Sequence, residues 1–289
     1  MAKIYDRSLK RTYEEVQYAS SGLNFLYNNF LGRIILKILI CPGLSKIYGI
    51  YMKRSISRIH INSFVKKNHI DMNRFEDRTY TSFYDFFTRH LKELNIDTKE
   101  DRMVSPAESK LIVYPIEEDM NIHIKRGIYT IPELLGGETK KEWDDSLKGG
   151  SCLVFRLAVN DYHRFHFCDD GTYVESKYIA GKLHTISSFS DKYKAFCKNS
   201  RVVNYLNMKH GGKMIVIEVG AMFVGKIVNN NISDFKKGTE KGWFEPGGST
   251  IIVFAGKNVK IDDDIIGNSR QGIETRVLPG EGIATFMGE

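Results

Sequence analysis

Two short stretches hold the residue types that could move protons and break bonds. The first is Glu245-Pro246-Gly247-Gly248-Ser249-Thr250, followed at once by the apolar run Ile251-Ile252-Val253-Phe254-Ala255. Two glycines open backbone conformations closed to other residues, and the proline before them fixes the approach. A serine hydroxyl then stands at the mouth of what reads as a buried strand. Most Gly-Gly-Ser triplets are ordinary turns, so these residues alone do not separate a turn from a reactive serine. The second stretch is Tyr162-His163-Arg164-Phe165-His166. As a strand it sends His163 and His166 to opposite faces, whereas a bend lets them converge. A His-x-x-His with Cys168 nearby is a metal-ligand pattern, but no further ligand of suitable spacing stands out. A histidine satisfied by backbone is a second reading. A third makes both imidazoles acid–base groups, since this side chain exchanges protons near neutral pH.

The wider run Lys237-Gly238-Thr239-Glu240-Lys241-Gly242-Trp243-Phe244-Glu245-Pro246-Gly247-Gly248-Ser249-Thr250 resembles the self-cleavage region of phosphatidylserine decarboxylases. Four more stretches agree in the family's order and spacing. They are Phe83-Tyr84-Asp85-Phe86-Phe87-Thr88-Arg89-His90-Leu91-Lys92, Ser105-Pro106-Ala107-Glu108, Asp161-Tyr162-His163-Arg164-Phe165-His166 and Glu218-Val219-Gly220-Ala221-Met222-Phe223-Val224-Gly225. The likeness runs from about residue 80 to the C-terminus and is looser in the N-terminal helices. By chemistry alone Phe86-Phe87-Thr88-Arg89 is core aromatics plus a surface arginine.

The resemblance implies self-cleavage at Gly248-Ser249. Ser249 Oγ attacks the Gly248 carbonyl, elimination frees residues 1–248, and the residue left at 249 becomes a pyruvoyl group. That covalent cofactor is expected to form a Schiff base with the amine of phosphatidylserine and act as an electron sink, releasing CO2 and phosphatidylethanolamine. Such a cleavage needs a base and an orienting carboxylate, the logic of the serine triad. By resemblance His166 is the base, His163 the proton donor in decarboxylation and Glu108 the carboxylate; no metal is required. The family usually shows Pro-Ala-Asp-Gly here, and this chain departs twice, with Glu108 for the Asp and Ser109 for the Gly. Glu108 moves the charge one methylene outward, and Asp161 is the substitute candidate.

Elements must position these groups. Leu23, Leu26, Tyr27, Phe30, Leu31, Ile34, Ile35, Ile38 and Leu39 recur at helical spacing, with Asn24, Asn28, Arg33 and Lys37 mainly opposite. Pro42-Gly43 is expected to end that helix, and a second is expected from Leu44 to about Lys67, rich in both Lys/Arg and Ile/Tyr. Two readings fit: helices packed on the core or on a second subunit, or an interfacial anchor on an anionic membrane. Asp71 to Leu94 reads as a further helical region. From residue 103 short apolar runs between turn residues predict strands at 111–114, 121–125, 152–159, 173–179, 213–219, 222–228 and 250–255, with another at 258–262. Short helices are expected at 131–135 and 188–197. The fold class is α+β: a helical N-terminal region, 1–95, for membrane or dimer contact, and a mostly antiparallel β-rich catalytic body, 96–289.

Composition sets bounds. The chain has 289 residues, 42% apolar and 27% charged, as in globular proteins rather than disordered ones. Its 42 Lys and Arg against 35 Asp and Glu give a net charge of +7, which suits an anionic partner without choosing among lipid, nucleic acid and phosphorylated substrate. Four cysteines without Cys-x-x-Cys do not make a disulfide scaffold, and a reduced compartment fits best. The N-terminus lacks the pattern of a secretory signal, and Leu23 to Cys41 is too polar to span a bilayer. The expected partners are phosphatidylserine, an anionic membrane surface, the other cleavage product and, by analogy, a second copy in a homodimer, with no nucleic acid. The expected location is peripheral, on the cytoplasmic face of the cell membrane. Rival readings are a pyruvoyl decarboxylase of a soluble amino acid, an uncleaved non-catalytic membrane-binding homologue, and a serine hydrolase using Ser249 and His166.

Overall fold

The computed structural model describes residues 2–15, 20–124, 127–137, 139–186, 193–223 and 226–288. Its centre is a ten-stranded sheet in the order Asp234–Phe235, Gly171–Ile179, Arg201–Met208, Gly212–Gly220, Ser249–Ala255, Ser151–Leu157, Ser109–Pro115, Glu274–Val277, Ala2–Asp6 and Arg11–Glu15. Pairing within it is antiparallel except where Ala2–Asp6 lies parallel to Glu274–Val277. Ser249–Ala255 is buried at every position. A strand covered on both faces is apolar throughout, which is why its sequence reads as an unbroken apolar run.

Alternation along the strands divides the core in two. Leu111, Phe155, Val216, Ile251 and Val253 face one side, with Phe165 and Phe244 packed on them. Ile112, Val154, Ile217, Ile252 and Phe254 face the other, under Trp143 and Leu134. Phe165 and Phe244 belong to a second, three-stranded sheet of Ile227–Asn229, Glu240–Phe244 and Arg164–His166. The site described below lies where these two layers meet.

The N-terminal helical stretch is present but more divided than its periodicity suggests. Ser20–Asn28 gives way to Phe30–Leu39 at Asn29, whose side chain caps the second helix by accepting from the Leu31 and Gly32 amides. Pro42 opens the helix Pro42–Lys53 instead of merely ending the one before it, since proline's missing N–H costs nothing in a first turn. A 3-10 turn, Ser55–His60, and Ile61–Lys67 follow. Within 71–94 only Met72–Arg74 and Phe83–Phe87 are helical, the latter capped by Ser82. Residues 2–15, expected to be helical, form a hairpin on the edge of the large sheet; Ile4 and Asp6 are buried two apart, as on a strand.

The expected strands are found within a few residues, except that 222–228 is a strand only at Ile227–Asn229. Lys125, Val224 and Gly225, and residues 188–192 of the expected helix at 188–197, lie outside the described residues; Ala195–Lys198 is helical. Ile131–Leu135 is a helix closed by a capping box of Thr130 and Glu133. Lys141–Leu147 and Asp263–Arg270 are helices the sequence pattern did not suggest. All four cysteines are free.

Candidate active site

Ser249 is the first residue of its strand, opposite Gly220 on one side and Leu157 on the other. Its Oγ is buried and has no hydrogen-bond partner among the described residues. The turn before it carries the backbone to a φ of +146° at Gly247, where a side chain would be strained, while a Cβ at Gly248 would meet nothing within 4 Å. Side-chain alternation puts Ser249 on the same face as Ile251 and Val253, toward Phe165 and Phe244.

The two histidines come to this layer through backbone pairing. The Phe244 amide donates to the His163 carbonyl at 3.0 Å, which lays His163 beside the strand that runs into the turn. His166 pairs with Glu240 in the same small sheet, and its amide donates to the Pro106 carbonyl at 2.8 Å. The regular strand is Arg164–His166, so His163 stands just outside it. The stretch Tyr162–His166 is thus held between the loop carrying Glu108 and the strand leading to Gly248.

Each imidazole is oriented by a carbonyl. His163 Nδ1 lies 2.9 Å from the Asp161 carbonyl oxygen and His166 Nδ1 lies 3.0 Å from that of Gly238. A carbonyl oxygen can only accept, so Nδ1 carries the proton in both rings and Nε2 presents a lone pair. Neither Nε2 has a partner among the described residues. Burial pushes the His163 pKa down to about 3; the Asp161 carbonyl and Glu108 pull the other way, while Arg89 and Lys110 add to the fall. Burial also lowers the His166 pKa. Both rings are therefore neutral bases at pH 7. Phe87 packs 4.3 Å from the His163 ring and Tyr162 stacks 6.1 Å from that of His166.

The carboxylates are engaged elsewhere. Glu108 is buried and receives Arg74 Nη1 and Nη2 at 3.0 and 2.9 Å and Arg276 Nη2 at 3.2 Å. Burial raises its pKa, but the hydrogen bonds and charge of Arg74, with Arg276 and Lys110, outweigh that and hold it low. Asp161 is clamped by Lys110 Nζ at 2.7 and 2.8 Å and by the Ala158 amide at 2.6 Å. Ser109, the other departure from the family pattern, begins the strand two places across the sheet from Ser249. At one strand spacing of about 4.8 Å, that is about 10 Å. Glu108 sits just beyond that end of the sheet.

One expectation is corrected outright. Arg89 is not a surface residue but 1% exposed, with its guanidinium 4.1 Å over Phe75 and 4.8 Å over Phe86. It donates from Nη1 to the Phe86 carbonyl, and Nε and Nη2 have no partner among the described residues. Burial lowers its pKa to about 10, against the pull of Glu108. Arg74 and Arg276, which hold Glu108, were not singled out in the sequence; they lie 34 and 168 residues from it.

The family model for phosphatidylserine decarboxylase matches residues 83–285, which includes every group described above except Arg74 and Phe75. This chain belongs to the phosphatidylserine decarboxylase family. Phosphatidylserine decarboxylase proenzyme 2 of Clostridium acetobutylicum is 46% identical to it over 97% of each chain. The phosphatidylserine decarboxylase proenzyme of Clostridium botulinum is 37% identical, over 98% of this chain and 99% of its own. That of Ruminiclostridium cellulolyticum is 38% identical, over 99% and 98%. Ser249 lies within the matched segment, with its hydroxyl buried and unpartnered among the described residues.

Proposed function

We propose that this chain is the proenzyme of a phosphatidylserine decarboxylase that cuts itself between Gly248 and Ser249. The observation that carries the reading is a buried serine hydroxyl, unpartnered among the described residues, at the end of a glycine turn and on the face of the large sheet that meets the layer holding two neutral imidazoles with free Nε2 atoms. In this reading His166 Nε2 takes the Ser249 proton and Oγ attacks the Gly248 carbonyl, breaking the peptide C–N bond to give an ester. Elimination releases residues 1–248 with a Gly248 carboxylate. The dehydroalanine left at 249 tautomerises and is hydrolysed by water, losing ammonia, to the pyruvoyl group on residues 249–289. That group supplies the electron sink for loss of CO2 from phosphatidylserine. His163 Nε2, neutral at rest, takes a proton from the substrate ammonium as that amine becomes reactive and passes it to the carbon that CO2 leaves; burial makes its conjugate acid a strong donor. Glu108 contributes a fixed negative charge behind the histidines, held by Arg74 and Arg276 rather than by an imidazole.

One consideration favours exchanging the two histidines' roles: the negative charge of Glu108 works against the fall in the His163 pKa. Loss of cleavage in His163→Asn with retention in His166→Asn would establish the exchange, and the reverse pattern the first assignment.

The substrate is a lipid, and the helical region suits a peripheral place on an anionic membrane surface. Phe30, Leu31, Ile38, Ile47, Ile56 and Ile59 are all more than 60% exposed, beside Arg33, Lys37, Lys46 and Arg58. Apolar area and positive charge add their attraction to such a surface. None of the described helices is long and apolar enough to cross a bilayer. The face is tied to the site: Lys53 Nζ donates to Glu245 Oε1 at 2.6 Å, in the turn before Ser249. The cytoplasmic leaflet is the expected side, and a homodimer would use the same helices.

The deciding measurement is the intact mass of purified protein under denaturing conditions. Two chains are expected, 1–248 and a shorter one blocked to Edman degradation, with Ser249→Ala remaining in one piece. A wild-type chain that stays whole and carries no carbonyl trapped by hydroxylamine rejects the reading in favour of an uncleaved homologue. Pelleting with anionic vesicles separates a lipid substrate from a soluble amino acid.

A further inference from the structure

The contact between the two sheets is mainly apolar: Phe165 and Phe244 of the small sheet against Leu157, Val216 and Ile251 of the large one. Such contact is non-directional and does not by itself stop one layer sliding on the other. A polar network crosses it. Lys241 of the small sheet is 2% exposed and Glu218 of the large sheet 0%, with Nζ and Oε1 2.8 Å apart. Asn229, on the small sheet, accepts from Lys241 Nζ through Oδ1 at 2.7 Å and donates from Nδ2 to Glu218 Oε2 at 3.3 Å. Asn204, on the large sheet, donates to the same Oε2 at 2.7 Å. Each layer thus supplies two of the four side chains. The rings of Phe165, Phe167 and Tyr173 lie 5.3 to 5.9 Å from the ammonium.

The location matters more than the pair itself. Glu218 is opposite Ile251, two residues along the strand from Ser249 and on the same face. Lys241 follows Glu240, the residue paired with His166, and precedes Gly242, paired with Phe165. The network therefore joins the layer carrying the nucleophile to the layer carrying the bases, within about 7 Å of Ser249 along its strand. The chemistry proposed above consumes neither charge. Burying an ammonium and a carboxylate is costly, and an apolar pair of like volume is often as stable or more so. The usual return for that cost is a single geometry.

We propose that Lys241 and Glu218, bridged by Asn229 and Asn204, are positioning residues that hold Ser249 in register with the imidazole that deprotonates it. The inference rests on cleavage at Gly248–Ser249, so the wild-type chain is the control: if it does not cleave, that reading fails and not this one. The test uses the full chain, freshly made, as Lys241→Met/Glu218→Leu together and as Asn229→Ala. Three quantities are followed: the half-time of cleavage by intact mass, the melting temperature, and decarboxylase kcat per two-chain molecule. The double variant is expected to melt at or above the wild-type temperature while cleaving at least tenfold more slowly, with kcat per cleaved molecule falling as well because His163 adjoins the same small sheet. Asn229→Ala, which removes the bridge and keeps the ion pair, is expected to slow cleavage about threefold, and it decides the matter if the double variant does not fold. Wild-type cleavage rates in the folded variants, or slowing that simply follows a lowered melting temperature, would overturn the proposal.

Discussion

At the scale of the residue, proton affinity and backbone freedom set the behaviour of the site. His166 is held below the ordinary imidazole pKa by burial, so its neutral, proton-accepting form persists as pH falls. An unperturbed imidazole would be about three-quarters protonated at pH 6. Self-cleavage is therefore expected to hold its rate to a lower pH than an ordinary imidazole base would allow, measured by intact mass over time; a rate that halves at or above pH 6.5 would mean another base. His163 bears on stability with a definite sign. Its pKa falls from 6.5 in the unfolded chain to about 3 when folded, so the unfolded state binds the proton more readily between those values. Its contribution is complete above pH 6.5 and is lost on acidification at about 1.4 kcal/mol per pH unit, down to about pH 3. Urea unfolding at pH 7 and pH 5 checks this, and His163→Asn should flatten the slope. The two glycines of the turn should separate cleanly. Gly247→Ala, at a φ of +146°, is expected to lose about 1–3 kcal/mol and to slow cleavage, whereas Gly248→Ala, with open space around a Cβ, should cleave close to normally.

At the scale of the element, the small sheet of Ile227–Asn229, Glu240–Phe244 and Arg164–His166 is the part on which the site most depends, because it carries one histidine and adjoins the other. Its closest approach is at Gly242, where a Cβ would come within 2.0 Å of the Val228 carbonyl oxygen. Gly242→Ala should part those strands, lower the melting temperature by several degrees and leave most of the chain uncut, while the Gly267→Ala control, with nothing within 4 Å, should do neither. How much of this was legible follows from where each element's partners lie. The Ser249–Ala255 strand could be read because burial on both faces makes it apolar throughout. The helices from Ser20 to Lys53 could be read from periodicity, although not their break at Asn29, which depends on one capping side chain. The hairpin of residues 2–15 could not, because its main partner is Glu274–Val277 at the far end of the chain. Likewise, a Phe-Phe-x-Arg pattern says nothing of the aromatic faces that bury Arg89, and Glu108 gives no sign that its cations come from residues 74 and 276.

At the scale of the molecule, two features decide whether a chain cut near its C-terminus can work on a lipid. The first is interleaving. Ser249–Ala255 lies between two strands of the 1–248 portion, Glu274–Val277 lies between Ala2–Asp6 and Ser109–Pro115, and Gly282–Phe286 pairs with Arg102–Val104. Arg7 reaches Asp262, Asp264 and Glu281, and Arg102 reaches Asp262. Breaking one peptide bond removes none of these, so the two products should sediment as one particle in native buffer and part only in denaturant. The second is the exposed helical face. Lys53 binds Glu245, and Trp243 Nε1 donates to Tyr84 OH at 3.1 Å, so the helices and the cleavage turn are in direct contact. A face that seats the site on a membrane should lose affinity without losing chemistry when it is made polar. Ile38 and Ile47 are 62% and 65% exposed, so replacing both with Asp disturbs little packing in the folded chain. Each removes apolar area worth about 1.5–3 kcal/mol if fully inserted and adds a charge that anionic lipid repels. Ile38→Asp/Ile47→Asp is expected to cleave itself at the normal rate and to turn over a water-soluble short-chain phosphatidylserine. Its binding to vesicles containing anionic lipid should fall at least tenfold, and raised salt should weaken what remains. Unchanged pelleting by that variant would place the membrane contact on another face.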